Sequence, residues 1–469
     1  MAKFILSKYS SNQLIHDNFI YTRERTYRGK TYWKCIENYN FNCKGRVHVN
    51  GEEIKVVNHH NHDHRPEMIL SRKIINSIKS KALNTSETPQ QIISTITAKE
   101  PRRAFHDLPS LTQMKRTIRR QRNEKMKMPS CPNNIDEIKI PPCFSITSNG
   151  MKFLRIDDGA GKERIIIFAA DYALNLLETS DHWFADGTFK TCPSLFEQLY
   201  TIHGINGNES IPVMYCLLMN KKKETYLAMI NHVKKLINSP SPRSIMLDFE
   251  QAAIGAFSES FPQTKVKGCF FHFCQAIHRK IQEIPELNDE YKHNNDLRFQ
   301  IKQLSALAYV PTEHVVEIFE SLVRSQYYQN NLEKLLPLLD YFEETWIGRC
   351  LPGTRTRRQA RFPIEIWNVY NSVVELVPRT NNSVEGWHRS FSSILQCSKP
   401  TIWKFITGIQ RDECLARYKL ADISRSLTKN RNLSHKQSAE RIENLFYQYN
   451  SNHFTDQEYL FNLAANITF

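Results

Sequence analysis

The sequence lacks the features of membrane and secreted proteins. None of its apolar runs is long enough for a transmembrane helix, and the first ten residues, MAKFILSKYS, contain no apolar stretch like that of a secretory signal. Its 11 cysteines are an odd number scattered over 469 residues, without the dense spacing of a disulfide framework. We therefore expect an intracellular protein with reduced thiols, some of them metal ligands, and no membrane partner.

Negative charge is scarce in the N-terminal quarter of the chain. Residues 1–130 hold 25 Lys and Arg against 11 Asp and Glu, a net charge of +14, whereas the remaining 339 residues carry +1. A basic module joined to a nearly neutral body is typical of proteins that bind nucleic acid at one end. A solvated basic face that only keeps the chain soluble is the alternative.

Cysteines and histidines in this basic quarter have the composition of a metal site. Cys35 and Cys43 precede the stretch NHHNHDH, and two thiols with two imidazoles form a closed tetrahedral set for structural Zn²⁺. Either His60 and His62 or His62 and His64 complete the set, and we predict the first pair. The alternating runs RVHV and EIKVV around Asn50-Gly51 indicate a β-hairpin. So small a sheet needs a metal to stabilise it.

The next segment, from residue 69 to residue 140, is predicted to be helical and basic. LPSLTQMKRTIRRQRNEKMKM has the period of an amphipathic helix, with Leu111, Met114 and Ile118 on its apolar face. We expect its basic side chains to contact DNA phosphates, with docking on an acidic protein surface as the alternative. The predicted DNA-binding residues are Lys115, Arg116, Arg119, Arg120 and Arg122.

Three acidic residues stand where an active site could use them. Asp186 and Asp248 each close a short β-type run, and Glu385 lies in the first turn of a helix capped by the preceding Asn-Asn-Ser. Carboxylate oxygens suit Mg²⁺ or Mn²⁺, and two such ions can stabilise the attacking and leaving oxygens of a phosphodiester. The alternative is structural, since Asp186 could start a turn and Glu385 could interact with the helix dipole.

A Cys-x-x-His pair, Cys269 and His272, follows the second of these acids. Its spacing suits one metal ion, but two ligands do not complete a zinc site. Cys274, His278 and the distant His388 are candidates to complete it. The pair could instead pack and form hydrogen bonds near the active centre, and the residues leave both readings open.

The core of the chain resembles the transposase of Mutator-like elements (MULE). The resemblance rests on the ordered motifs DHWFADGTFKTCPSLFEQLYTIHG, IPVMYCLLMNKKKETY, DFEQAAIGAFSESFPQTKVKGCFFHFCQAIHRKIQ and RTNNSVEGWHRSF, and it covers roughly residues 145 to 420. It implies an α/β fold with an RNase H-like mixed-sheet core and a DDE triad formed by Asp186, Asp248 and Glu385. As in the family pattern, an all-helical insertion is expected between the second and third acids.

The N-terminal segment resembles a FLYWCH-type zinc finger, through its Tyr32-Trp33-x-Cys35 motif and the histidines that follow. Patterns and resemblances together predict a small β-rich finger and a basic helical region ahead of the core. The expected segments are the finger at 1–68, the basic helical DNA-binding or linker region at 69–140, the first part of the core at 141–265, the helical insertion at 266–378, the completion of the core with the catalytic Glu helix at 379–420 and a helical tail at 421–469.

The resemblance implies a DNA transposase that binds element ends and target DNA, and that cuts and joins strands with Mg²⁺ or Mn²⁺ while Zn²⁺ stabilises the finger. The expected location is the nucleus, and assembly into a homo-oligomer is expected across two DNA ends. A transposon-derived DNA-binding regulator without catalysis is the main alternative, because such a protein could keep all three acids. A nuclease acting on RNA is a third, weaker possibility.

Overall fold

Two compact units, Met1–Ser130 and Cys131–Phe469, make up the chain. The division falls inside the proline-containing segment MPSCPNNIDEIKIPPC. The computed structural model describes residues 3–7, 11–85, 87–125, 128–159, 161, 163–206, 209–238, 240–351, 353–354, 356–374, 379–425 and 433–467.

The first unit opens with a six-stranded antiparallel sheet whose strands lie in sequence order. Its last two strands form the hairpin predicted around Asn50-Gly51, with Gly51 in the left-handed region at φ 61°. The strands are β1 (Lys3–Leu6), β2 (Asn12–His16), β3 (Phe19–Tyr27), β4 (Lys30–Cys35), β5 (Arg46–Asn50) and β6 (Glu53–Asn58).

Alternation along the strands gives this sheet one apolar face. Trp33, Val47 and Val49 are buried with Leu14 and Tyr21, whereas Lys34 and His48, which alternate with them, are more exposed. Five buried side chains form a small core for a six-stranded sheet, which is consistent with the need for a stabilising metal.

Three helices complete the first unit, and they are α1 (Pro66–Asn84), α2 (Pro89–Thr97) and α3 (Leu111–Lys125). Ile74 and Ile78 of α1 pack with Ile92 of α2 and with Met114 and Ile118 of α3. The α2 helix begins with a reciprocal capping box between Thr88 and Gln91, which satisfies its first free N–H groups. The helix predicted from the Leu111 period is present with Met114 and Ile118 on its buried face, but Leu111 itself is 61% exposed.

A seven-stranded mixed sheet lies at the centre of the second unit. From one edge to the other the strand order is β13-β12-β9-β10-β11-β8-β7. The central β9, β10 and β11 are antiparallel, whereas β12 runs parallel to β9 and β13 parallel to β12. The strands are β7 (Leu154–Asp157), β8 (Ile166–Phe168), β9 (His182–Thr188), β10 (Gln198–Asn206), β11 (Glu209–Leu218), β12 (Ser244–Leu247) and β13 (Lys265–Gly268).

The helices of the second unit divide into those that pack on the sheet and those that build a separate helical core. The helices α4, α15 and α16 contact β11, and a large apolar cluster links residues of α7 to α12 with residues of α17 and α18. The helical insertion expected after Asp248 is thus present. The helices that precede the insertion or belong to the sheet are α4 (Asp171–Thr179), α5 (Lys223–Leu236), α6 (Gln251–Ser260), α15 (Asn382–Leu395) and α16 (Ile402–Arg425). The others are α7 (Phe270–Glu283), α8 (Pro285–His293), α9 (Asn295–Ala306), α10 (Val315–Arg324), α11 (Gln326–Asn330), α12 (Leu332–Phe342), α13 (Ile364–Trp367), α14 (Tyr370–Val374), α17 (Leu433–Asn450) and α18 (Asp456–Asn466).

None of the helices in the described ranges combines the length and the apolar character that crossing a membrane would require. The two sheets and their helices give a mixed α/β fold with a β-rich N-terminal sheet, the class that the family resemblance implies.

Candidate functional site

The finger sheet brings four potential metal ligands together. One ligand atom from each of Cys35, Cys43, His60 and His62 lies within 4.8 Å of the others. Cys35 Sγ is 3.4 Å from His62 Nε2, and Cys43 Sγ is 3.3 Å from His60 Nδ1. Of the two histidine pairs that the sequence allows, the structure groups His60 and His62 with the cysteines. Two sulfurs and two imidazole nitrogens are the donor set of a structural zinc site.

Contacts outside the four ligands orient both imidazoles. The hydroxyl group of Tyr21 lies 2.7 Å from Nε2 of His60, which leaves Nδ1 facing the cysteines. The carbonyl oxygen of Asp63 lies 2.9 Å from Nδ1 of His62, so Nε2 is the nitrogen directed at Cys35. A metal-bound histidine normally has such a partner at its second nitrogen, because the partner fixes the tautomer and the ring orientation.

Backbone groups and rings enclose the same centre. Glu37 N–H donates to Cys35 Sγ at 3.4 Å and Gly45 N–H donates to Cys43 Sγ at 3.3 Å. Phe19 stacks on His60 with ring centroids 3.6 Å apart and an interplanar angle of 2°. Burial lowers the pKa of His60 to about 4, so its imidazole is neutral at pH 7, as metal binding requires.

The second unit contains the three predicted carboxylates. Asp186 lies on β9 and is buried, with 7% of its surface exposed, and its Oδ2 accepts a hydrogen bond from His388 Nε2 at 2.8 Å. His388 comes from α15. Burial acts to raise the pKa of Asp186, but the hydrogen bond and the charge of His388 outweigh that effect and lower it. The carboxylate is therefore ionised in a nearly water-free position.

Asp248 and Glu385 meet at a single histidine. Asp248 immediately follows β12, Glu385 lies in the first turn of α15, and His272 stands between them on α7. His272 Nδ1 is 2.7 Å from Asp248 Oδ1, and its Nε2 is 3.4 Å from Glu385 Oε1. The shorter contact is an ion pair whose angles are not those of a hydrogen bond. Burial and the neighbouring charge of Asp186 raise the pKa of Asp248. The two acids are neighbours because β12 runs parallel to β9, with Met246 opposite Phe184.

Asn381 joins the Cys-x-x-His pair to the helix that carries Glu385. The thiol of Cys269 donates to Asn381 Oδ1 at 3.0 Å, and Asn381 Nδ2 donates to Asp248 Oδ1 at 3.3 Å. In the ranges that the structure describes, the finger is the only group of three or more His, Cys, Asp or Glu ligand atoms within 4.8 Å. This arrangement favours the second reading of the pair, in which Cys269 and His272 form polar contacts beside the carboxylates.

The proposed partners of that pair lie elsewhere or serve other contacts. Cys274 is buried in the apolar cluster of the helical insertion, and His278 lies beside Gln282 on the exposed side of α7. His388, the third candidate, binds Asp186.

A buried acid that no local motif singles out fixes the position of α15. Asp412 of α16 is 4% exposed and accepts hydrogen bonds from Trp387 Nε1 and from the Tyr215 hydroxyl group, each at 2.7 Å. Trp387 lies between Glu385 and His388 in sequence. Asp412 therefore connects the helix bearing two site residues to β11 and α16. Only the buried neighbours of this acid distinguish it from the other acidic residues of a long helix.

The five predicted DNA-binding residues, all on α3, have different surroundings. Arg116, Arg119 and Arg120 are exposed, and Arg120 forms an ion pair with Glu124 at 2.7 Å. Lys115 binds the side chain of Gln90.

Arg122 differs from the other four, since its guanidinium donates to the carbonyl oxygens of Ala82, Thr85 and Glu87 at 2.7–3.0 Å. Those carbonyls lie at and beyond the C-terminal end of α1, so Arg122 completes that end of the helix. That all five contact phosphate stays a prediction, and at Arg122 the three bonds to carbonyl oxygens within the fold compete with such a contact.

Two family models match parts of the chain. Residues 182–276 match the MULE transposase domain, and residues 4–62 match the FLYWCH zinc finger domain. The chain therefore carries both domains. The first match includes Asp186, Asp248 and the Cys269–His272 pair but ends before Glu385, and the second includes all four finger ligands.

Relatives and a solved structure show more limited likeness. The mouse (Mus musculus) FLYWCH-type zinc finger-containing protein 1 is 29% identical over 89 residues, which cover 18% of this chain and 13% of that protein. The human (Homo sapiens) protein of the same name is 30% identical over 66 residues, covering 14% and 9%. The chain thus matches only about a tenth of each relative's length. The Drosophila P element transposase strand transfer complex aligns over 74% of this chain and 92% of its own at 12% identity, with a TM-score of 0.30.

Proposed function

We propose that this transposase-derived protein is a DDE-type DNA transposase, in which the finger unit binds DNA and the second unit cuts and joins strands. The observation that carries the proposal is the convergence of Asp186, Asp248 and Glu385. Asp186 and Asp248 lie on the paired parallel strands β9 and β12 or at their ends. His272 spans Asp248 and Glu385, and His388, on the same helix as Glu385, binds Asp186.

The strand order of the second unit supports an RNase H-like core. Three antiparallel strands, β9, β10 and β11, are followed in the chain by β12 and β13, which extend the sheet in parallel on the other side of β9. In this order the C-terminal ends of β9 and β12 are neighbours, so Asp186 and Asp248 lie at the same place along the sheet. Crevices at such carboxyl ends are where α/β sheets bind ligands.

The donor set fits a divalent cation. Three carboxylates supply hard oxygen ligands, and the mutual effect of Asp186 and Asp248 is the repulsion that a cation would relieve. When bound, Mg²⁺ or Mn²⁺ supplies Lewis-acid stabilisation of the phosphodiester undergoing displacement.

The remaining residues of the cluster position these ligands. His388 holds Asp186 by a hydrogen bond to Oδ2, so that the other carboxylate oxygen is available. Asn381 holds Asp248 and is itself fixed by Cys269. His272 spans Asp248 and Glu385, so it sets the separation between β12 and α15. Partners of this kind orient ligand groups and tune their affinity for metal.

DNA is the substrate that the first unit favours. This unit has an excess of basic residues, exposed Arg116 and Arg119 on α3, and the Cys35, Cys43, His60 and His62 cluster. These features are consistent with a module that binds DNA phosphates. A protein that acts on chromosomal DNA must be in the nucleus, so a nuclear location is part of the proposal.

Strand cleavage tests this function directly. Full-length protein is incubated with labelled DNA carrying the flanking element ends, with Mg²⁺ or Mn²⁺, and compared with Asp248→Asn. The matched control is Asp181→Asn, which changes an exposed acid one residue before β9. We expect the parent and the control to cut and Asp248→Asn to be inactive while still binding DNA. Equal cutting by Asp248→Asn would refute the proposal.

A transposon-derived regulator is the second candidate, favoured by the FLYWCH-type relatives of the finger. It predicts specific DNA binding without cleavage by the parent protein under any divalent metal. It also predicts that Asp248→Asn and the parent regulate a reporter equally.

A further inference from the structure

The edge of the carboxylate site carries an exposed aromatic ring that the proposed chemistry does not use. Phe189 follows β9, three residues after Asp186, and 39% of its surface is exposed. Lys221 Nζ lies 3.9 Å from the centroid of its ring. In the described part of the chain no other aromatic ring stacks on Phe189, so this apolar surface has only a cation as its close ring partner.

This ring is held beside the acids by backbone and ion-pair contacts. Lys221 Nζ is 3.8 Å from Glu250 Oε2, and Glu250 N–H donates to the carbonyl oxygen of Asp248 at 2.8 Å. Lys399 N–H donates to the carbonyl oxygen of Lys190 at 2.9 Å, which ties the residue after Phe189 to the chain beyond α15. The ring is therefore attached to the segments that supply Asp186 and Asp248, and to the chain beyond the C-terminal end of α15.

Three exposed lysines lie close to it along the chain: Lys190 is the next residue, Lys222 follows Lys221, and Lys399 donates through its backbone N–H to the carbonyl oxygen of Lys190. Lys190, Lys222 and Lys399 are exposed and have no carboxylate partner among the residues described. Lysines without partners beside an exposed aromatic ring combine attraction for phosphate with a surface for base stacking, the two elements of single-strand binding sites. The internal base pairs of a duplex cannot stack on such a ring, since both of their faces are covered, and only the pair at each end exposes one face.

We propose that Phe189, with Lys190, Lys222 and Lys399, forms a nucleotide platform that stacks one unpaired base and binds its phosphates next to the carboxylates. Its ligand is single-stranded DNA or the unpaired end of a duplex. The nucleotide platform rests on the proposed transposase function, since that function supplies the DNA on which the platform would act. Binding of DNA to the platform nevertheless requires no cleavage.

Two DNA affinities test the platform. They are those of the full-length, zinc-loaded protein for a fluorescent single-stranded oligonucleotide and for the blunt duplex of the same sequence. Fluorescence anisotropy is recorded without added Mg²⁺ or Mn²⁺, for the parent, Phe189→Ala and Phe189→Trp. Because loss of one stacked base weakens binding by roughly 5- to 150-fold, Phe189→Ala should raise the single-strand Kd by that factor and leave the duplex Kd unchanged. Phe189→Trp should retain single-strand affinity.

Two controls separate the platform from general effects. Tyr418→Ala removes an aromatic ring that is 68% exposed on α16, and it should change neither Kd. Lys190→Ala combined with Lys222→Ala should reduce the magnitude of the single-strand salt slope by about 1.4, since each lost phosphate contact removes about 0.7. Exchange of the exposed Lys235 and Lys292 for alanine should leave the single-strand salt slope unchanged.

A single-strand Kd for Phe189→Ala within twofold of the parent value would overturn the platform, even if cleavage of element ends were found. Equal weakening of single-strand and duplex binding would overturn it as well. Conversely, selective loss of single-strand binding in a protein that never cuts DNA would retain the platform while refuting the transposase.

Discussion

The close approach of Gly45 to a zinc ligand gives the sharpest test of the finger. A Cβ atom at this position would lie 2.6 Å from Cε1 and 2.7 Å from Nδ1 of His60, whereas ordinary contacts are 3.4 Å or longer. In Gly45→Ala the ring must therefore move by about 0.8 Å, several times the ~0.2 Å tolerance of a metal–ligand distance. The same ring stacks on Phe19 and is bound by Tyr21, so it has little freedom to move without losing those contacts.

We expect Gly45→Ala to weaken zinc binding by at least about tenfold, comparable to the loss of a group that supports a metal ligand. Competition with a chromogenic chelator measures the affinity, and elemental analysis measures zinc content. Lys44→Ala, a change at the adjacent exposed position, is the control and should bind zinc like the parent. Parental zinc affinity in Gly45→Ala would show that His60 is not the ligand.

Three further predictions concern stability. Burial lowers the pKa of His203 to about 3, so stability that is present above pH 6.5 is lost as the pH falls. Between pH 7.5 and 5 the free energy of unfolding should fall by about 2 kcal/mol. Denaturant unfolding of His203→Gln should not show this loss. A pH dependence unchanged by that substitution would contradict the assignment. Arg122→Ala should destabilise the first unit by about 2 kcal/mol through its lost carbonyl contacts, whereas Arg116→Ala should stay within about 0.5 kcal/mol in the same measurement. Equal effects would be inconsistent with a structural role for Arg122. Asp412→Ala should lower the free energy of unfolding by about 2–4 kcal/mol, because the Trp387 indole and the Tyr215 hydroxyl lose their buried acceptor. A change below about 1 kcal/mol would argue against this role of Asp412.

Local patterns predicted the sites whose signals lie close together in sequence. Cys35 and Cys43 with the nearby histidines indicated zinc, because ligand type and spacing carry the chemistry. The strand-end positions of Asp186 and Asp248 indicated a shared sheet edge, since the residues around them have the apolar β-type pattern. The hairpins, α3 and the helical insertion followed from period and turn residues in the same way.

Contacts between distant segments could not be predicted in this manner. Arg122 shares the basic face of α3 in sequence, but its partners are carbonyl groups 35 to 40 residues away. His272 looked like half of a metal site, and only the folding of α7 against α15 places it between two carboxylates. Nothing near Asp412 in the sequence indicates that it is buried. Such roles depend on which surfaces meet, and one-dimensional periodicity contains no information about that.

The account depends most on the three carboxylates forming one divalent-cation site, and Mn²⁺ binding tests this without any need for cleavage. Electron paramagnetic resonance can count the Mn²⁺ ions bound by the zinc-loaded parent and by Asp186→Asn, Asp248→Asn and Glu385→Gln. The account predicts that the parent binds Mn²⁺ and that each of the three substitutions weakens binding by roughly tenfold or more. Unchanged Mn²⁺ binding in any one of them, with the fold intact, would show that its carboxylate is not part of the site.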